Sequence, residues 1–241
     1  MREWWGELAG LVLPADCAGC GLPRAGLCAR CRGLLRGCRP RRVRPDPQLD
    51  GLPSVHACLT YADEARAVLL AHKERGALRL AAQLGAVLAV AVRAAARAAA
   101  RETASGETAR GRAGPLLLVP VPSARRSVAA RGHDPVRRMA LAAAGELRRG
   151  GRPARVLPVL RQRRAVEDQA GLDARQRLAN LAGALDTAAG AGRLLEEGPV
   201  IMVDDLVTTG ASLAEAARVL DRAGGRVAGA AVVAASRYGA P

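Results

Sequence analysis

Val-Ile-Met-Val-Asp-Asp-Leu-Val-Thr-Thr-Gly-Ala-Ser, residues 200–212 of the 241-residue chain, is the stretch that most strongly determines the predicted fold. The apolar residues 200–203 predict a buried parallel strand, and Asp204 and Asp205 follow at its carboxyl end. A Thr-Thr-Gly turn then precedes a helical pattern from Leu213 to Ala223. This order predicts an α/β fold with a parallel sheet flanked by helices.

The turn that follows the strand has the chemistry of a phosphate-binding loop. Backbone N–H groups at a helix start lack intrahelical partners and lie at the positive end of the helix dipole. A glycine lets the backbone approach closely or adopt a positive φ, and hydroxyl groups add donors. We therefore predict a monophosphate site at residues Thr208, Thr209, Gly210, Ala211 and Ser212.

The acidic pair is suited to a different part of the ligand. The carboxylates of Asp204 and Asp205 would repel a phosphate, but they can accept hydrogen bonds from ribose hydroxyls or position Mg²⁺ through its waters. Together with the loop they fit a ribose 5-phosphate. Two alternatives remain open at this point: an ordinary strand-to-helix turn with a capping Ser or Thr, and a receiver-type acidic pocket, which needs no Thr-Thr-Gly turn.

This block resembles the binding signature of type I phosphoribosyltransferases, in which an apolar strand, two acidic residues and two further residues precede Thr-Thr-Gly. The resemblance implies a type I phosphoribosyltransferase-like sheet. It also implies that the loop Thr208 to Ser212 holds the 5-phosphate of phosphoribosyl pyrophosphate (PRPP), while Asp204 and Asp205 contact the ribose hydroxyls.

A second loop carries a cluster of arginines. Leu116 to Val119 predicts another buried strand, and the Pro-bounded turn after it contains Ser123, Arg125 and Arg126. In an open parallel sheet, ligands lie beyond the carboxyl ends of the strands, so both loops can face one substrate. Guanidinium groups bind phosphate oxygens with two aligned donors, which suits the pyrophosphate end of PRPP.

Four cysteines near the start of the chain have the spacing of a metal site: Cys17, Cys20, Cys28 and Cys31. Two Cys-x2-Cys turns can place four thiolates tetrahedrally around Zn²⁺. Disulfides in a secreted domain and free thiols are the alternatives. We predict a zinc-ribbon-like head at residues 1–40 and a Pro- and Arg-rich linker at residues 41–53.

Two cysteines lie outside that pattern. Cys58 is interpreted as a small buried residue in a strand from Val55 to Tyr61, the alternative being a ligand pair with His56. The sequence does not indicate a place for Cys38.

The composition restricts the classes of function. The chain has 37 basic and 22 acidic residues, and this favours phosphate-rich ligands, although a solvated Arg-rich surface would also account for it. No targeting segment is indicated, and the apolar run from Leu78 to Ala100 contains three arginines, which argues against a membrane span. We expect a cytoplasmic protein without a membrane partner.

The order of motifs along the chain is similar to that of the ComF family. These motifs are the Cys-x2-Cys pairs, a Lys turn, Pro-Val-Pro, Arg-Gly, a Gln…Arg-x-x-Asn stretch and Asp-Asp-x-x-Thr-Thr-Gly. Family members are phosphoribosyltransferase-like proteins with an N-terminal zinc ribbon, associated with competence and the handling of incoming DNA. The resemblance implies residues 54–241 as a phosphoribosyltransferase-like domain, and by position it implicates Lys73, Arg131, Gln169, Arg177 and Asn180.

This chain departs from the family pattern after Arg131. His133 stands where members commonly have an aromatic residue, and we interpret it as a packing substitute rather than a general base. The Gln162 to Asn180 segment is expected to form either a mobile lid over the site or a solvated Arg-rich helix.

The expected function is Mg²⁺-dependent transfer of a ribose phosphate from PRPP to a nitrogen acceptor, a pentosyl glycosyltransferase reaction. Asp204, Asp205, Lys73 and Arg131 are the expected catalytic residues, and Arg177 joins the two loops in binding PRPP. One alternative is a non-catalytic, PRPP-regulated module that binds single-stranded DNA or a competence helicase. Another is a purine or pyrimidine salvage enzyme. The sequence indicates neither the acceptor nor the oligomeric state.

Overall fold

The computed structural model describes residues 16–46, 48–104, 114–164, 176 and 180–236. Gln169 and Arg177, both implicated above, lie outside the described residues. The strands are β1 (Arg41–Val43), β2 (Val55–Thr60), β3 (Leu116–Pro120), β4 (Ala154–Val156), β5 (Leu160–Gln162), β6 (Leu185–Thr187), β7 (Val200–Val207) and β8 (Val227–Ala235). The main helices are α1 (Ala29–Arg36), α2 (Asp63–Glu74), α3 (Ala81–Ala104), α4 (Arg125–Arg131), α5 (Pro135–Arg149), α6 (Ala191–Leu195) and α7 (Ala211–Arg222).

The predicted α/β class with a mostly parallel sheet is confirmed. Six strands form one sheet in the order β1-β2-β8-β7-β3-β4, and only the pairing of the edge strand β1 with β2 is antiparallel. β5 and β6 form a separate antiparallel pair. The parallel strands all end at one edge of the main sheet, which is where ligands bind in such folds.

The core lies on both faces of the sheet because successive side chains of each strand point in opposite directions. In β3, Leu116 and Leu118 belong to the cluster that includes Leu84 of α3 and Met139 of α5. Leu117 and Val119 belong to the opposite cluster, which contains Leu213 and Leu220 of α7. The molecule therefore has a helix–sheet–helix architecture.

The predicted strand and helix at residues 200–223 are confirmed, but their boundaries differ. β7 continues through Asp204 and Asp205 to Val207, so the two carboxylates lie within the strand rather than after it. The strand continues because β8 runs parallel beside it as far as the Val207–Ala235 pair. α7 begins at Ala211, which places Ser212 in the first turn of the helix.

The cysteine-rich head packs onto the main body. Cys31 and Leu35 of α1 belong to the same buried cluster as Leu84 and Val87 of α3. The segment predicted to be a linker contains β1, which pairs with β2 at the edge of the sheet. The chain between the head and residue 54 is therefore part of the folded structure where it is described.

One helical segment in the described ranges, Leu78–Thr103, is long and apolar enough to cross a membrane by length and composition alone. Half of its apolar window is buried inside the protein. Its residues Leu84, Leu88 and Val92 are fully buried in the core between the sheet and α5. The segment therefore also packs like a core helix. The core helices of soluble proteins can pass the same test of length and composition as a membrane span.

Candidate functional site

The two loops predicted to form the site emerge side by side at the carboxyl edge of the sheet. β3 and β7 are neighbours, with Pro120 opposite Val203. The N–H of Val121 donates to the carbonyl of Val203 at 2.9 Å, so the loop 121–124 begins beside Asp204. This arrangement places the loop after β3 next to the acidic pair.

Gly210 determines the shape of the turn that precedes α7. Its φ is +76°, in the left-handed region where a Cβ is unfavourable, and its carbonyl accepts a hydrogen bond from the N–H of Ala214 at 2.9 Å. The amides of the first helical turn have no intrahelical partners. This geometry is compatible with the anion site predicted for the turn.

Apolar residues from the connection between β1 and β2 cover this turn. A Cβ placed on Gly210 would lie 2.9 Å from Cδ2 of Leu52 and 3.1 Å from Cγ of Pro45. Sequence reasoning missed this cover, since a Pro-rich segment without periodicity gives no sign of where it packs. Gly210 is therefore required for its conformation and for the space around it.

The acidic pair has an unusual electrostatic environment. Asp205 is buried and Asp204 is partly exposed, and the N–H of Asp205 donates to Oδ1 of Asp204 at 2.8 Å. Burial, followed by the charge of Asp205, raises the pKa of Asp204 well above its ordinary value, and Lys73 offsets only part of this. Two adjacent carboxylates in such a place are suited to a cation or to hydroxyl donors.

Lys73, at the end of α2, lies against this pair. Its Nζ donates to Oδ2 of Asp205 at 2.7 Å, and the two side chains are 33% and 10% exposed. Burial lowers the pKa of Lys73, but the nearby charges of Asp205 and Asp204 outweigh burial, so the pKa is raised overall. The structure thus brings together three of the four residues expected to be catalytic.

Arg131, the fourth, is held next to Lys73 by a second ion pair. Its Nε donates to Oε2 of Glu74 at 2.8 Å, and its charge acts on Lys73. Its Nη1 is buried and has no hydrogen-bond partner among the described residues. An orphaned donor of this kind is costly unless a ligand or water satisfies it. Glu74 was missed in the sequence, where nothing local indicates its partner.

Two histidines connect these segments through polar contacts with backbone carbonyls. A ring nitrogen of His133, Nε2, lies 3.2 Å from the carbonyl of His72, and Nδ1 lies 3.0 Å from the carbonyl of Arg131. Nε2 of His72 lies 3.3 Å from the carbonyl of Pro135, and burial lowers the pKa of His72. Both rings are buried, with centroids 5.9 Å apart. The pair links the end of α2 to the turn between α4 and α5.

The residues expected to bind pyrophosphate are more exposed to solvent than the acidic pair. Arg125 and Arg126 are exposed in the first turn of α4, and Ser123 is partly buried just before it. The N–H of Arg125 donates to Oε1 of Gln162 at 3.3 Å, a link that the sequence did not indicate. No hydrogen bond or ion pair among the described residues joins Arg125 or Arg126 to Asp204 or Asp205.

The four head cysteines form a second candidate centre. The Sγ atoms of Cys17, Cys20, Cys28 and Cys31 all lie within 4.8 Å of one another. Those of Cys20 and Cys28 are 3.6 Å apart. Tetrahedral zinc with Zn–S bonds of about 2.3 Å separates its sulfurs by about 3.8 Å, so the cluster is compatible with structural zinc.

Backbone donors stabilise negative charge on these sulfurs. The N–H of Cys28 donates to Sγ of Cys17 at 3.3 Å. Burial opposes ionisation of Cys17, but hydrogen bonds from the backbone of Cys20, Cys28 and Gly19 outweigh it and lower the pKa to about 6. A Cβ on Gly19 would lie 2.7 Å from Sγ of Cys31. The turn that contains Gly19 is therefore compatible with thiolates that bind a cation.

No known family model matches the chain, and no curated protein matches it.

Proposed function

We propose that this protein binds PRPP with Mg²⁺ as a type I phosphoribosyltransferase-like member of the ComF family and transfers its ribose phosphate to a nitrogen acceptor. One observation carries the proposal. A carboxylate pair in the carboxyl-terminal half of the buried parallel strand β7 is followed, five positions after Asp205, by the left-handed Gly210 that precedes α7. This order of groups matches the order of hydroxyls and phosphate along a ribose 5-phosphate.

The loop and the acidic pair would each bind a different part of the ligand. The amides at Ala211 and Ser212, with the hydroxyls of Thr208 and Thr209, would hold the 5-phosphate. The carboxylates of Asp204 and Asp205 would accept hydrogen bonds from the ribose hydroxyls. Lys73 fixes the orientation of Asp205 before any ligand arrives. A preorganised site of this kind loses little entropy on binding.

The arginines would act on the leaving group. Arg125 and Arg126 are exposed beside the loop after β3, and Arg131 has a buried Nη1 without a partner among the described residues. Guanidinium groups would stabilise the charge that develops on departing pyrophosphate while the C1–O bond breaks. When bound, Mg²⁺ would neutralise phosphate charge, and the carboxylates of Asp204 and Asp205 fit it directly or through its waters.

The head would have a structural role. Four thiolate ligands complete a tetrahedral zinc shell and leave no open position for substrate. The few apolar residues of this region, with Leu27 and Leu35 buried against α3, cannot supply much folding free energy alone. Zinc would supply it, because metal binding and folding are coupled in such small units.

Release of pyrophosphate tests transfer directly. We would incubate the zinc-loaded protein with PRPP and Mg²⁺ and add purine bases, pyrimidine bases and amines separately. Release that depends on one acceptor identifies the reaction, and release with a free base would favour the salvage alternative. If PRPP binds but no acceptor gives release, the protein is a PRPP-binding module rather than a transferase.

A second candidate function, binding of single-stranded DNA or of a competence helicase, is favoured by two neighbouring cavities lined by several arginines and by one acidic residue, Glu146. Two cavities of about 300 and 210 Å³ lie between the head and α3, and both are lined by Arg32 and Gln83. Arg36, Arg79 and Arg93 complete their basic lining. Phosphate contacts release counterions, so this function predicts DNA affinity that falls steeply with salt, without pyrophosphate release.

A further inference from the structure

Cys38 and Cys58 lie outside the head cluster, and the strand pairing brings them towards each other. Cys38 lies between the end of α1 and the start of β1, whereas Cys58 lies within β2. β1 and β2 are antiparallel, with Arg41 opposite Ala57. The residues before Arg41 therefore run alongside the carboxyl-terminal half of β2, where Cys58 is located.

The two thiols lie in the same part of the core. Cys38 packs against the buried cluster that contains Cys58, and a side-chain interaction between the two thiols shifts the pKa of each. Sγ of Cys58 also lies 3.4 Å from the carbonyl oxygen of Val87, to which it can donate. Both thiols are free in the structure. Two cysteines held side by side by strand register and core packing are candidates for a covalent link.

The two thiols differ in exposure and in acidity. Cys38 is partly exposed, whereas Cys58 is buried at 8% exposure. The hydrogen bond from Cys58 lowers the pKa of Cys38 despite partial burial, and the same hydrogen bond together with burial raises the pKa of Cys58. A partly exposed thiol with a lowered pKa beside a buried thiol is the arrangement in which the first attacks an oxidant and the second resolves the product.

A metal site does not account for this pair. A structural zinc site needs four ligands. Among the described residues, the only group of three or more potential ligand side chains close together is the head cluster. Within the described part of the chain, Cys38 and Cys58 therefore lack the further ligands that a metal ion would require.

We propose that Cys38 and Cys58 are a redox-active pair that closes to an intramolecular disulfide by exchange with a low-molecular-weight disulfide. The sulfur of Cys38 attacks one sulfur of the small disulfide, and one small thiol leaves. Cys58 then attacks the Cys38 sulfur of the mixed disulfide and the second small thiol leaves, with the two cysteine protons passing to the two released thiols. The protein loses two electrons, and the small disulfide gains them.

Peptide mapping tests the proposal with the full chain in its zinc-loaded form. The protein is equilibrated with oxidised glutathione, quenched with acid, alkylated and digested with trypsin. Cleavage separates Cys38 in peptide 37–41 from Cys58 in peptide 43–66, and both from the head cysteines. We expect a cross-linked pair of these two peptides, loss of both thiols to alkylation, and reversal by dithiothreitol.

Two variants separate the steps. Cys58→Ser should stop at a glutathione adduct on Cys38, and Cys38→Ser should leave Cys58 reduced and unmodified. The proposal is overturned if both thiols of the wild-type protein remain alkylatable in oxidised glutathione. It is equally overturned if Cys38 keeps its glutathione adduct with Cys58 intact, or if the cross-link joins either residue to a head cysteine while zinc is retained.

Discussion

Nζ of Lys73 lies 2.7 Å from Oδ2 of Asp205, although 132 positions of sequence separate the two residues. Lys73 is the sole lysine of the chain. The contact joins the end of α2 to the carboxyl end of β7, and the Glu74–Arg131 pair extends it to α4. Because Asp205 is buried and forms an ion pair with Lys73, the contact links stability to the candidate site.

Replacing Lys73 should therefore destabilise the protein. Lys73→Met leaves the Asp205 carboxylate buried without its partner, and we expect a loss of about 2 kcal/mol in the free energy of unfolding, measured by urea denaturation. Adding Asp205→Asn should restore much of the loss. As a control, Arg30→Met breaks the exposed Arg30–Glu64 pair and should cost well under about 1 kcal/mol. Equal losses for the two single variants would contradict this account.

The raised pKa of Asp204 predicts a pH-dependent effect of Asp204→Asn. In the wild type, a raised folded pKa means that stability falls as the pH rises from 3.8, the ordinary value, through the folded pKa. Asparagine does not ionise and can still accept the N–H of Asp205. The variant should therefore match the wild type in acid and exceed it at neutral pH.

Thermal unfolding from pH 3 to 8 measures this difference, and the informative quantity is the change in melting temperature between variant and wild type. It should increase with pH and level off above the folded pKa of Asp204. A difference that is constant across the range, or that favours the wild type at neutral pH, would show that burial and Asp205 do not disfavour the ionised form.

Gly210→Ala should disturb both the fold and the phosphate loop. The left-handed φ costs a Cβ about 1–2 kcal/mol, and contacts with Leu52 and Pro45 at 2.9 and 3.1 Å add to this. Gly224→Ala is the matched control, because its φ is +80° but nothing lies within 4 Å of the added Cβ. Denaturation should show the larger loss at Gly210, and PRPP affinity should fall only there. Equal losses of stability at both positions would show that the packing of Leu52 and Pro45 on Gly210 has no effect.

Removing a buried head cysteine should release the metal. Cys31→Ser takes away one of four clustered sulfurs, and we expect the purified variant to lose about one equivalent of zinc by elemental analysis and to become protease-sensitive in the head. Cys38→Ser, outside the cluster, should keep its zinc. Zinc retained in Cys31→Ser, or absent from the wild type, would contradict a four-cysteine site.

The features that the sequence predicted well depend on local patterns. The buried strands β2, β3 and β7 and the helix α7 follow from apolar runs and from the positions of Gly and Pro. The Cys-x2-Cys spacing predicted the cluster of thiols because two short turns are enough to bring four sulfurs together.

The features that the sequence did not indicate are contacts between distant segments. The ion pair of Glu74 with Arg131 and the packing of His72 against His133 depend on how α2 and α4 meet. Leu52 covers Gly210 from a segment with no periodic pattern. The length of β7 depends on its pairing with β8, which extended the strand through the acidic pair. Each of these features depends on tertiary packing, which local sequence propensities do not encode.

The carboxylates of β7 and the loop before α7 are proposed to bind one ribose phosphate. Isothermal titration calorimetry of the zinc-loaded protein with PRPP and Mg²⁺ measures this binding, with Asp204→Asn/Asp205→Asn compared against Asp221→Asn, an exposed change on α7. We expect binding to the wild type and to Asp221→Asn, and a loss of at least about tenfold in the double variant, or about 1.4 kcal/mol. Absence of PRPP binding to the intact, folded protein would contradict it.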